Sequence, residues 1–192
     1  VKKLIAIITA ALVPVFALAI RSDEEIIAIV RTAENGEGLD EAINLLNGSD
    51  DFPPLADAAL GRLWAAKAAR TGFSLLKVLR AKRGLGMLDD YLAKHPDDPY
   101  ALLWRGRSAV ETDYLIAGAS TAEADLKKAL DIFGTEYPDA EAGAACCLGL
   151  GNLAFDLGDL EKARTYWELA VTTAPETGPA EDAAEMLRIT QG

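Results

Sequence analysis

Few side chains in this chain could carry chemistry, and their spacing does not suit it. His95 is the single histidine, and one imidazole cannot build a multi-histidine metal site. It falls at the end of an expected helix, where a partial positive charge suits the dipole. Cys146 and Cys147 are adjacent. On a helix, neighbouring residues point about 100° apart, so a disulfide between them would distort the backbone, and both read as small buried hydrophobes. The acidic pairs Asp50-Asp51, Asp89-Asp90 and Asp97-Asp98 flank chain breaks and lack the D-x-[DN]-x-[DN]-G spacing of a calcium loop. No G-x-S-x-G, P-loop or C-x-x-C occurs, and the run Gly84-Leu85-Gly86-Met87 lacks the third glycine of a dinucleotide loop. Trp64, Trp104 and Trp167 are scattered as inter-helix core residues would be. The residues therefore assign no catalytic group, no metal ligand and no cofactor, and they point to binding rather than to an enzyme.

Charge is segregated. No acidic residue lies between Asp57 and Asp89, while Arg62, Lys67, Arg70, Lys77, Arg80, Lys82 and Arg83 all do. Such a segment focuses anionic ligands, with Lys77, Arg80, Lys82 and Arg83 as its densest part. Equally, it can pair with acidic faces of neighbouring elements or simply be solvated. The whole chain has a formal net charge of −11, which on average disfavours nucleic acid and anionic lipid.

The elements that must position these residues are helical. Lys2-Lys3, an uncharged run from Leu4 to Ile20 and the small-residue pattern Ala17-Leu18-Ala19 predict a cleavable secretory leader over residues 1–19. That places the chain in the periplasm or outside the cell. Two of the 19 basic residues fall in this segment and none of the 30 acidic ones, so residues 20–192 carry −13. No second apolar span follows. Ala-rich segments broken by Pro, Gly and Asp predict helices from Asp23 to Asn35 (capped by Ser22), Leu39 to Leu46, Leu55 to Arg70, and Phe73 to His95 with a kink at Gly84 or Gly86. Further helices are predicted from Tyr100 to Thr112, Ser120 to Gly134, Ala140 to Asp156, Leu160 to Ala174 and Ala180 to Ile189. Thr112 to Thr121 reads as an insert.

A repeat underlies the pattern. Gly61, Gly106 and Gly151 are 45 residues apart, each midway along the first helix of an expected pair. Within residues 144–177, Leu150-Gly151, Ala163, Trp167, Ala170 and Pro175 keep the order of large, small and aromatic positions of a helix hairpin, with Gly158-Asp159 at its turn. This hairpin resembles the tetratricopeptide repeat, although Cys147 stands where an aromatic is usual and 45 exceeds the family's period of about 34. More loosely, residues 20–192 resemble small exported bacterial tetratricopeptide-like proteins. The resemblance implies an all-α, right-handed helical-hairpin solenoid of about four helix pairs plus a C-terminal capping helix.

It also implies a non-catalytic scaffold or adaptor that holds a protein or peptide partner in the concave groove lined by first helices. The groove positions would be Leu55, Ala58, Arg62, Ala65 and Ala66; Tyr100, Leu103, Arg107, Val110 and Glu111; and Ala145, Leu148, Asn152, Phe155 and Asp156. Arg62, Tyr100, Arg107, Asn152 and Phe155 would touch the ligand, and a lining of Arg, Asn and aromatics suits a peptide bearing carboxylates. The alternative is an accessory binder of an anionic small molecule or cell-wall fragment through the basic segment from residue 62 to 83.

Overall fold

The computed structural model describes residues 22–190 apart from 35, 37, 49–50, 73, 114–117 and 137. The expected leader, residues 1–19, lies outside the described residues, as does most of the expected insert. The fold is all-α. Among the described residues there are nine helices: α1 (Asp23–Glu34), α2 (Leu39–Leu46), α3 (Leu55–Ala69), α4 (Ser74–Leu92), α5 (Pro99–Glu111), α6 (Ala119–Thr135), α7 (Ala140–Asp156), α8 (Leu160–Thr173) and α9 (Gly178–Ile189). None of them is long and apolar enough to cross a membrane.

Local chemistry sets the helix ends. Ser22 and Glu25 form a reciprocal capping box: the Glu25 amide donates to Ser22 Oγ at 3.4 Å and the Ser22 amide to Glu25 Oε2 at 3.3 Å. Asp98, Asp139 and Asp159 cap α5, α7 and α8, accepting from the amides of Ala101, Ala142 and Lys162. At the α7–α8 turn Gly158 has φ +82°, a conformation that costs glycine little. Helix α4 runs unbroken through Gly84 and Gly86.

The helices pack in sequence order. α1, α3, α5, α7 and α9 lie side by side, each on the next, while α2, α4, α6 and α8 each pack on their own first helix and on the one that follows. The repeated glycines serve this arrangement. A Cβ on Gly61 would sit 2.8 Å from the Gly84 carbonyl of α4, one on Gly106 2.6 Å from Leu126 of α6, and one on Gly151 would overlap the Trp167 indole of α8. In each pair the glycine lets the second helix close on the first. Trp167 is fully buried by this closure, which is worth roughly 4–6 kcal/mol of apolar burial.

Two apolar clusters result. The larger runs from Ile26 and Val30 in α1 to Leu150 and Leu153 in α7, and the smaller gathers Cys147, Ala163, Trp167, Ala170 and Ala183 around α8. Cys146 belongs to the first and Cys147 to the second, as the turn of a helix between adjacent residues requires.

Candidate functional site

Helices α3, α5 and α7 have no solvent face over most of their length, because they are covered on all sides. Of the fifteen groove positions, only Phe155 and Asp156 are exposed; Arg107, Glu111 and Asn152 are partly exposed, and the rest are buried. The cover at one end is α1. Its Ile26, Val30 and Ala33 are buried, and its polar residues tie it to three first helices at once.

Arg62, which was expected to touch a ligand, is 2% exposed. Its Nε donates to Glu34 Oε1, its Nη1 to Glu111 Oε2 at 2.6 Å and Ser108 Oγ at 3.2 Å, and its Nη2 to Glu111 Oε1 at 2.9 Å. Arg107 completes the ring, donating to Glu34 Oε2 at 3.1 Å and to Glu111 Oε1 at 3.0 Å. Two arginines and two glutamates thus neutralise one another between α1, α3 and α5. Burial opposes the charge on Arg62, but Glu111 and Glu34 outweigh it and raise its pKa. Burial alone would push the Glu111 carboxyl up; Arg62 and Arg107 override that and hold it at about 2. The guanidinium donors are spent inside the protein, so the pair is not poised to grip a ligand carboxylate.

A second tie closes α1 on α7. Arg31 Nη2 lies 2.6 Å from Asp139 Oδ2 and its Nη1 3.3 Å from Glu141 Oε2. Tyr100, another expected ligand contact, is buried and donates its hydroxyl to Asp139. Burial raises the Asp139 carboxyl, and the Tyr100 hydroxyl, the Ala142 amide and Arg31 together bring it below its ordinary value. Between α1, α5 and α7 lie an inner cleft of 110 Å³ bordered by Ile27, Val30, Tyr100 and Leu148, room for a few waters, and a more open one of 520 Å³ lined by Ile27, Arg31, Tyr100 and Glu141.

The first-helix face opens again at its far end. A trough of 300 Å³ lies between α5, α7 and α9, lined by Arg107, Val110, Glu111, Leu148, Gly149, Asn152, Asp182, Glu185 and Met186. Asn152 Oδ1 accepts from Trp167 Nε1 at 2.9 Å, which fixes the amide and leaves Nδ2 as a donor. One turn along α7, Phe155 is 43% exposed with its ring centroid 5.7 Å from that of Trp167. Phe155 forms an apolar step beside a polar amide. With Arg107 and Glu111 both spent in the charge ring and Glu185 paired with Arg188 at 2.5 Å, Asp182 is the carboxylate left to border the trough. The expected pairing of this face with an acidic peptide has no unspent cation in the trough to rest on.

The basic segment is largely consumed too. Lys67 pairs with Asp40 of α2, Arg70 donates to the Glu34 carbonyl at 2.7 Å, Lys77 pairs with Asp113, and Arg80 donates to Thr71 Oγ1 at 2.7 Å. Lys82 and Arg83 stay exposed, Arg83 with its guanidinium 4.1 Å from the Trp64 ring centroid. Of the seven cations, Arg62, Lys67 and Lys77 pair with carboxylates of neighbouring elements, Arg70 and Arg80 bind neutral oxygens, and Lys82 and Arg83 face solvent.

Elsewhere the structure places His95 against Tyr91, ring centroids 4.5 Å apart. Cys146 and Cys147 are buried free thiols; burial raises both, Cys147 to about 11, which keeps them protonated and unreactive. Among the described residues no cluster of His, Cys, Asp and Glu could hold a metal ion. Sequence reasoning overlooked Arg31 and Glu34. Their only local signal was a charged pair three residues apart, just past the apolar run from Ile26 to Val30. The chain matches no family model, no curated protein and no solved structure.

Proposed function

We propose that the chain is a right-handed tetratricopeptide-like solenoid serving as a non-catalytic scaffold or adaptor that holds a protein or peptide segment in the bacterial cell envelope. The sequential packing of helix pairs and the three glycines at matching positions support the architecture. The exported location rests on the apolar, leader-like run before residue 20.

One observation carries the binding reading. On a face otherwise covered by α1, Asn152 and Phe155 stand open beside a trough, the amide held in place by Trp167. A fixed amide donor next to an exposed ring binds an extended backbone with little ordering cost. The spent arginine and the carboxylate of Asp182 favour a segment with neutral or basic side chains, and the bulk of the groove serves to hold α1.

The test is partner capture from cells, comparing wild type with Asn152→Asp and Phe155→Ala. Asn152→Asp keeps the acceptor for Trp167 and removes the outward donor, so the fold survives. Loss of that hydrogen bond weakens binding about tenfold to a hundredfold. Equal capture by wild type and both variants, each folded by circular dichroism, would overturn the proposal.

A further inference from the structure

Helix α4 carries apolar side chains on two opposite faces. Ala81, Gly84, Leu85 and Leu88 turn inward and are buried. On the other side, at helical spacing, stand Leu75, Leu76 and Leu79, which are 60%, 38% and 56% exposed. A lone exposed leucine is ordinary. Three together on the outward face of a helix that already buries its inward face are not.

One turn further along the same face come Lys82 and Arg83, both exposed and without a carboxylate partner among the described residues. Beyond them is Gly86, where an added Cβ would meet nothing within 4 Å. The ridge is therefore convex and open, apolar at its start and cationic in its middle.

We propose that this ridge docks on an anionic lipid surface. Leu75, Leu76 and Leu79 enter the boundary between headgroups and acyl chains, while Lys82 and Arg83 pair with headgroup phosphates. Three features favour a bilayer. A partner helix needs a groove, and the cleft that α4 borders lies at its other end, around Met87, Asp90 and Tyr91. A second copy laid α4 against α4 would offer Lys82 and Arg83 no anionic partner, because residues 58–88 hold no acidic residue. The arrangement of leucines with flanking cations is that of a helix resting at a membrane interface.

The net charge of −13 over residues 20–192 does not forbid this, because charges beyond about 10 Å are screened at 0.1 M salt. The nearest acids on α4 itself, Asp89 and Asp90, lie six and seven residues past Arg83, about 9 Å along the axis, and Asp89 pairs with Arg105 at 2.9 Å. Asp113 is paired with Lys77.

The test uses the full chain with an environment-sensitive fluorophore attached through Leu79→Cys, and a second protein labelled through Leu169→Cys. Leu169 is an exposed leucine on α8. The native cysteines are buried and stay unlabelled in the folded protein. With phosphatidylglycerol vesicles, the label at 79 should brighten and shift to the blue while the label at 169 stays in water. Phosphatidylcholine vesicles should give little change. Lys82→Ala with Arg83→Ala should weaken the apparent affinity about thirtyfold, at about fivefold per cation near an anionic surface.

The proposal fails if the label at 79 does not respond to phosphatidylglycerol. It fails too if positions 79 and 169 respond alike, or if removing both cations changes nothing. A response at 79 to an acidic amphipathic peptide but not to vesicles would assign the ridge to a protein partner and overturn the lipid.

Discussion

Replacing Glu111 with Gln tests the buried charge ring where its electrostatics are most legible. The substitution keeps the size and one oxygen of the side chain but removes the charge that faces Arg62 and Arg107. Glu111 has an ordinary value of 4.5 and is held at about 2 in the fold. A carboxyl lowered by folding adds stability above its unfolded value, and that stability is lost as pH falls through the folded one. The contribution is about 3 kcal/mol at pH 7, roughly half of that at pH 3, and small by pH 2. Removing one partner of a buried ion pair costs 3–5 kcal/mol on general grounds, which agrees in size. Urea unfolding of wild type and Glu111→Gln should therefore differ by about 3 kcal/mol at pH 7, and the gap should shrink by about half at pH 3. A gap that is the same at both pH values, or one near zero at pH 7, would refute the reasoning that this ring fastens α1 over the first-helix face.

Other consequences are cheaper to check. Gly84→Ala and Gly86→Ala lie two residues apart on α4, yet should act in opposite directions. A Cβ on Gly84 would sit 2.5 Å from the Gly61 carbonyl and should lower stability by about 2 kcal/mol by thermal or urea unfolding. On Gly86 it meets open space and should raise stability by up to about 1 kcal/mol. Cys146 and Cys147 should resist thiol reagents in the native protein and react only as it unfolds. Rapid native labelling of either would contradict their burial. Arg31→Ala removes both ion pairs between α1 and α7 and should speed amide hydrogen exchange in α1 more than in α8; uniform exchange would argue against a local clasp.

Helix positions were legible because they depend on near neighbours. Ser22, Asp98, Asp139 and Asp159 each cap a helix within three residues of themselves. Gly61, Gly106 and Gly151 recur at a fixed interval because each meets the second helix of its own pair. Gly84, where a kink was expected, admits α3 at close range, and the helix runs unbroken through it.

The site was harder to see for a physical reason. Arg62 reaches Glu111, 49 residues away, and Arg31 reaches Asp139, 108 residues away. No local window shows that these charges meet. A stretch free of acids looks like an open cationic patch when counted along the chain, yet Lys67, Arg70 and Lys77 find acceptors on α1, α2 and beside α5. The same applies to the groove: positions counted from the repeat glycines do lie on first helices, but only the folded chain shows that α1 covers them. Asn152 and Phe155 remain open because they lie at the end of α7 that α1 does not reach.

The central claim is that a partner segment binds at the open end of this face. Site-specific photocrosslinking in cells tests it most directly, with a photoreactive side chain placed at Phe155 and, as a control, at Lys127 on the exposed side of α6. A discrete adduct is expected from position 155 that is lost on Asn152→Asp, and none from position 127. An adduct from 127 without one from 155, or one from 155 that ignores Asn152→Asp, would contradict it.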